Sequence, residues 1–282
     1  MTVSPLYTSL CTGLALVAFA ANSVLCRLAL GEGTIDAASF TTVRIASGAL
    51  TLWLICAWTT SGATRGGSWL SAACLFGYAA AFSFAYLSLD AGTGALILFG
   101  AVQVTMISVG LSRGERPRRL EWIGLISAVA GLVYLMLPGF ENTPSLGGSL
   151  LMASAGLAWG LYSLRGRTQT NPLTETTGNF IRATPAAVVC SLFALGSLEI
   201  STKGALLATA SGALTSGLGY VVWYAAVRGL TATRAATVQL AVPILAALGG
   251  AALLAESISG RLVTAAVLVL GGVGIAVTVR DP

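Results

Sequence analysis

Long apolar runs of roughly twenty residues, parted by short polar stretches, follow one another along the chain. A hydrocarbon core ~30 Å thick takes about 20 helical residues. By that measure the pattern predicts ten membrane-spanning helices, at residues 6–29, 37–59, 68–89, 91–111, 120–138, 146–165, 175–196, 203–226, 232–254 and 260–279. Turn-forming segments such as "GEGTID", "SGATRGGS", "LPGFENTPS" and "TQTNPL" separate them. Barrel strands are excluded, because those would alternate apolar and polar positions over about ten residues.

Composition agrees. Of 282 residues, 56% are hydrophobic and 9% charged, with mean hydropathy +0.86; a soluble protein of this size could not bury so much apolar surface. The five cysteines, Cys11, Cys26, Cys56, Cys74 and Cys190, are scattered in apolar runs and read as buried thiols. The first residues lack a basic n-region, so the first apolar run is expected to remain as a span.

Charge gives orientation. The loops after spans 2, 4, 6 and 8 and the C-terminal tail hold Arg65, Arg113, Arg116, Arg118, Arg119, Arg165, Arg167, Arg228, Arg234 and Arg280, against Lys203 and Arg261 in the other loops. The positive-inside rule then makes both termini cytoplasmic. The net charge of +5 is thereby a topology signal and not a nucleic-acid footprint.

Two arginines recur with a fixed offset. Arg27 precedes Arg44 by the same interval as Arg165 precedes Arg182, and a shift of 138 carries the first pair onto the second. Under that shift "AANSVLCR" (20–27) falls on "AWGLYSLR" (158–165), and with a shift of 140 "FGAVQ" (99–103) falls on "QLAVP" (239–243). The chain reads as a duplication, residues 1–140 and 141–282, each with five spans. An odd number of spans turns the second copy upside down, and inverted repeats mark secondary transporters. The fold class expected is all-α, ten transmembrane helices as two inverted five-helix repeats around a central cavity.

Ten spans in two repeats, with "GERPRRLEWIG" and "AESISGRLVTAAVLVLGG" near the end of each, resemble the EamA-type drug/metabolite transporter superfamily, and within it the bacterial YddG exporters of aromatic amino acids. The resemblance runs from about residue 6 to 279. It implies spans 1, 3, 4, 6, 8 and 9 around a central cavity, spans 5 and 10 as outer scaffold, a bacterial inner-membrane location, and efflux from the cytoplasm.

Candidate substrate-binding residues are polar or aromatic side chains away from span ends: Asn22, Tyr78, Phe82, Phe99, Gln103, Trp159, Tyr220 and Gln239. A side-chain amide is costly in lipid, so Gln103 and Gln239 should face inward, as cavity lining or as interhelical hydrogen bonds. The rings could hold a planar substrate or simply pack. Pro243 removes a backbone bond in mid-span and is a hinge or a passive kink. Small residues at 156 and 160 would let span 6 approach a neighbour closely. Trp58, Trp69 and Trp122 read as belt anchors at span ends.

Arg44 and Arg182 are expected to be structural or gating residues, snorkelling to headgroups or bonding carbonyls at a helix end. The functional alternative is that either binds a substrate carboxylate. No acid lies in mid-span and the chain has no histidine, so a proton relay lacks its usual carriers and a cationic drug lacks a counter-charge. The expectation is a transporter exporting a neutral or zwitterionic metabolite, aromatic amino acids first, with a nucleobase, an aliphatic amino acid or a drug-like solute as the alternative. No catalysis, cofactor or metal is expected. The partners are the lipid bilayer and the small-molecule substrate, and a monomer is compatible with the sequence.

Overall fold

The computed structural model describes residues 5–59, 66–116, 118–136, 145–254 and scattered positions between 260 and 275. The predicted tenth span, 260–279, and Arg65, Arg261 and Arg280 lie wholly or largely outside the described residues. Within them the chain is helical, with one isolated bridge between Ile35 and Ile200. The helices are α1 (Pro5–Gly31), α2 (Ala37–Thr59), α3 (Trp69–Ala85), α4 (Ala91–Ser112), α5 (Arg119–Met136), α6 (Leu146–Gly166), α7 (Pro172–Phe193), α8 (Thr202–Ala210), α9 (Gly219–Val227), α10 (Ala232–Gln239) and α11 (Ala241–Leu253). A π-helical stretch, Ser211–Leu218, joins α8 to α9. Among the described residues, five helices are long and apolar enough to cross a membrane: α1, α2, α4, the continuous Thr202–Val227, and Ala232–Leu253.

Local chemistry sets the ends. The Asn171 side chain caps α7 by accepting from Thr174 N–H, and Pro172 sits at its first turn, where a missing N–H costs nothing. α7 therefore starts three residues before the predicted 175. Ser68, Ser145, Ser201 and Thr231 cap α3, α6, α8 and α10 in the same way. The predicted span at 232–254 is interrupted at Leu240. Pro243 lacks an N–H for the Gln239 carbonyl four residues back, and its ring crowds that carbonyl, so the ladder breaks there.

Packing pairs α3 and α4 with α6, α2 with α7 and the π-helical stretch, and α1 with α9 and α11; α5 packs on α4 and α10. Glycines permit the closest approaches. A Cβ on Gly160 would stand 2.9 Å from Thr105 Cβ, and one on Gly156 would meet the Leu98 carbonyl, so the expected close contact of the sixth span is with α4. Gly48 faces the Phe180 ring and the Gly212 carbonyl, while Gly212 faces the Arg44 carbonyl, which brings α2 onto the π-helical stretch. Trp58, Trp69 and Trp122 are exposed. The five cysteines form no disulfide; Cys11, Cys26 and Cys56 are buried, Cys56 within 3.4 Å of Thr177 Oγ1, but Cys74 and Cys190 are only half-buried.

Candidate functional site

A network of rings and hydroxyls fills the middle of the bundle. Trp159 on α6 packs against Phe19 at 5.1 Å, Tyr78 at 5.0 Å and Tyr220 at 4.7 Å between centroids. Tyr78 continues to Phe82 at 5.3 Å, Tyr162 packs against Tyr224 at 5.1 Å, and Phe180 of α7 reaches Tyr220 at 5.8 Å. Every one of these rings is buried. The expected cavity lining is thus partly brought together, but its rings are in contact with each other, because aromatic edges and faces attract. Spans 2 and 7, absent from the cavity-lining set that the resemblance implied, contribute Arg44 and Phe180.

Arg44 is the charged member of this cluster, 1% exposed. Its Nε donates to Ser216 Oγ at 2.8 Å, and its Nη2 donates to Tyr220 OH at 2.7 Å and Tyr78 OH at 3.1 Å. Its guanidinium carbon lies 5.1 Å from the Tyr78 ring centre and 5.0 Å from that of Phe82. Nη1 has no partner. The ion pairs among the described residues all sit at helix ends, and none includes Arg44. The expectation that Arg44 snorkels to headgroups or bonds helix-end carbonyls is corrected: it turns inward, because Ser216, Tyr78 and Tyr220 offer acceptors inside the bundle. Arg182 bonds backbone instead, donating from Nη1 to the Gly66 carbonyl at 2.7 Å and the Gly178 carbonyl at 2.9 Å.

The contacts of Arg44 fall at matched sequence positions. The shift of 138 carries its contacts Tyr78 and Phe82 on α3 onto its contacts Ser216 and Tyr220, so it sits between matched positions of the two halves. The π-helical stretch makes this possible. Its widened turn carries Ser211, Thr215 and Ser216, which donate to Asn22 Oδ1 at 2.6, 3.2 and 3.5 Å, while Asn22 Nδ2 donates to Tyr78 OH at 3.3 Å.

The two glutamines sit to one side. Gln239 Oε1 accepts from Trp159 Nε1 at 2.8 Å, and its Nε2 donates to the Ala235 carbonyl at 2.9 Å. Gln103 Nε2 donates to the Ala236 carbonyl, leaving its Oε1 without a partner. Both face inward, tying α4 and α6 to α10. Phe99 is buried on α4 but joins no ring pair among the described residues. Pro243 is buried near the start of α11.

The residues missed from sequence are Phe19, Tyr162, Phe180, Ser211, Thr215, Ser216 and Tyr224, with Trp223, whose ring packs on Phe19 at 5.5 Å. Helical spacing could have found most of them. Phe19 lies three before Asn22, Tyr162 three after Trp159, and Ser216 four before Tyr220, each pair on one face.

Ionic contacts close the bundle at both ends. On the side of the α4–α5 loop, Glu115 pairs with Arg167 at 3.0 Å and accepts from Ala232 N–H at 3.0 Å and Thr233 N–H at 3.3 Å at the start of α10. Burial pushes its carboxyl up, but these two N–H groups and the Arg167 guanidinium outweigh that and hold it below its usual range. At the other end Arg27 meets Asp90 at 3.3 Å, Lys203 meets Glu32, and Asp36 N–H donates to the Glu199 carbonyl at 2.9 Å.

A buried polar and aromatic cluster thus lies inside a bundle of apolar helices, five of which among the described residues are long and apolar enough to cross a membrane. Residues 146–278 match the EamA-like transporter family. A Pseudomonas aeruginosa protein is 53% identical over 275 residues, spanning 97% of this chain and 95% of that one. YoaV of Bacillus subtilis, an uncharacterized transporter, is 25% identical over 205 residues, 70% of each chain. A crystal structure of a protein 20% identical superposes with a TM-score of 0.77 over 97% of this chain and 98% of that one. The second half of the chain is thus similar to the EamA-like transporter family.

Proposed function

We propose that the protein exports small neutral or zwitterionic metabolites, aromatic amino acids foremost, from the cytoplasm by alternating access, as a carrier and not an enzyme. Ten spans form two inverted repeats, with both termini on the cytoplasmic side of the inner membrane. The observation that carries this is the enclosed cluster of Tyr78, Trp159 and Tyr220, rings drawn from both halves and lined with hydroxyls. Such rings can part to stack on a planar side chain, and neutral hydroxyls suit its polar end.

The packing is consistent with repeats that exchange. α3 and α4 on α6 correspond to α9 and α11 on α1, and α3 on α7 corresponds to the π-helical stretch on α2. Pro243 and the break at Leu240 supply a hinge in the span next to Gln239. A nucleobase or an aliphatic amino acid is the second candidate, since Gln103 keeps a free amide oxygen suited to an N–H donor.

Counterflow in proteoliposomes with labelled Trp, Phe, Leu and uracil tests the proposal. Trp and Phe should exchange fastest, and Trp159→Ala should slow both. Uptake no faster than in protein-free vesicles for all four would overturn it. For the topology, single cysteines at 116 and 167 should be shielded from an impermeant thiol reagent applied outside, and those at 34 and 201 should label.

A further inference from the structure

Arg44 presents a contradiction that a ligand would resolve. A guanidinium carries a permanent positive charge, and burying it without a counter-ion is costly unless an anion arrives. Its partners here are three neutral hydroxyls and two ring faces, which supply dipoles but no negative charge. Its Nη1, with two N–H groups, is buried without any partner. Stability alone would favour an apolar residue at this position, since well-packed apolar replacements of buried charges are often neutral or stabilising.

We infer that Arg44 is the anion-binding residue of the transported solute, its free Nη1 receiving a carboxylate while Nε and Nη2 stay fixed on Ser216, Tyr78 and Tyr220. This rests on the proposed export of small metabolites and narrows it, because solutes without a carboxylate should not fill the site. One fixed positive charge among neutral hydroxyls matches a single negative charge; a dianionic phosphate would leave one unit uncompensated. The rings of Tyr78, Phe82, Trp159 and Tyr220 around it provide an apolar wall for the rest of the molecule. Ser216 and Tyr220 aim the guanidinium as positioning residues, and the π-helical turn holds Ser216 in reach. A charge shared with a ligand also suits transport: the empty carrier pays for an uncompensated cation, and loading relieves it.

The test uses purified full-length protein in lipid nanodiscs, with binding read as thermal stabilisation across matched pairs: phenylalanine against phenethylamine, and tryptophan against tryptamine, with 3-phenylpropionate as a carboxylate lacking the amine. A panel of leucine, acetate and inorganic phosphate separates this inference from the aromatic reading. Wild type should favour the carboxylate member of each pair by about 100-fold, as expected when a buried charge gains its partner. Arg44→Gln should erase that preference by bringing the carboxylate members down to the level of the amines, and Arg44→Lys should retain part of it. If only leucine or acetate stabilises the protein, and Arg44→Gln abolishes this, the anion site stands and the aromatic specificity falls. Equal affinity of wild type for the two members of each pair, which needs no variant to fold, overturns the inference. So does a preference that survives in Arg44→Gln, or stabilisation by no anion in the panel.

Discussion

Arg44 and Arg182 occupy positions matched by the shift of 138 between the two halves, yet their charges are handled in opposite ways. Arg182 is half-buried, its Nη1 satisfied by backbone carbonyls, with Trp69 5.9 Å from its guanidinium carbon. Arg44 is enclosed, held by side-chain hydroxyls, with one nitrogen open. The difference lies in what each helix faces. α7 meets the segment before α3, where Gly66 offers a carbonyl and Glu175 and Asn179 bind Gly67 N–H and Ser68 N–H. α2 meets the π-helical stretch, whose small and hydroxylated residues admit Arg44 to the interior. Arginines at matched positions thus serve as a clasp in one case and as an enclosed charge in the other.

The sharpest way to break this contrast is to replace both arginines by methionine. Arg44→Met should lower carboxylate binding about 100-fold while leaving thermal stability equal or higher. Arg182→Met should do the reverse, leaving affinity unchanged and lowering stability by about 1–3 kcal/mol as the Gly66 carbonyl loses a charged donor. Binding and melting measured on the same samples decide it; matching effects in the two variants would erase the distinction.

Gly212→Val comes next. Its Cβ would meet the backbone carbonyl of Arg44, so overpacking should cost about 1–3 kcal/mol and displace Arg44 from Ser216. Thermal unfolding with wild-type stability would show that α2 does not depend on that close approach.

Trp159→Phe removes one buried hydrogen bond and leaves Gln239 Oε1 without its donor, for a loss of about 1–3 kcal/mol but retained ring packing. Transport falling by more than a matched loss of folded protein would assign that bond to the site itself.

The smallest effect is expected at Glu115. Its folded-state carboxyl is held below the ordinary 4.5, so it contributes stability that is fully present above that value and is lost as pH falls through the lower folded value. Glu115→Gln should be less stable than wild type at pH 7 and should lose less on acidification below pH 4.5. Parallel stability curves for the two proteins would remove Glu115 from the closure of that end.

Much of the helix layout was legible because a twenty-residue apolar run has few alternatives to a helix. Ends were less so: α3 stops at Ala85, four residues before its predicted limit, and α7 begins early on a cap and a proline. Asn22, Tyr78, Phe82, Trp159 and Tyr220 could be picked out because polar and aromatic groups in mid-span need an interior. The π-helical turn could not, since Ser211–Leu218 reads as ordinary helix and only packing against Gly48 and Arg44 selects the wider turn.

The sequence by itself determined that the chain is a bundle of apolar helices and that an arginine, with a second arginine 138 residues on, stands inside the second run. These follow from local composition and from period, which neighbouring residues carry alone. Which way that arginine turns was decided by tertiary structure. Its partner Ser216 is 172 residues away and Tyr220 is 176, and no local pattern can say which side chains will share a space once helices close around them. Only there does burial remove water as a competing partner, so that three hydroxyls, two rings and one open nitrogen share an enclosed space.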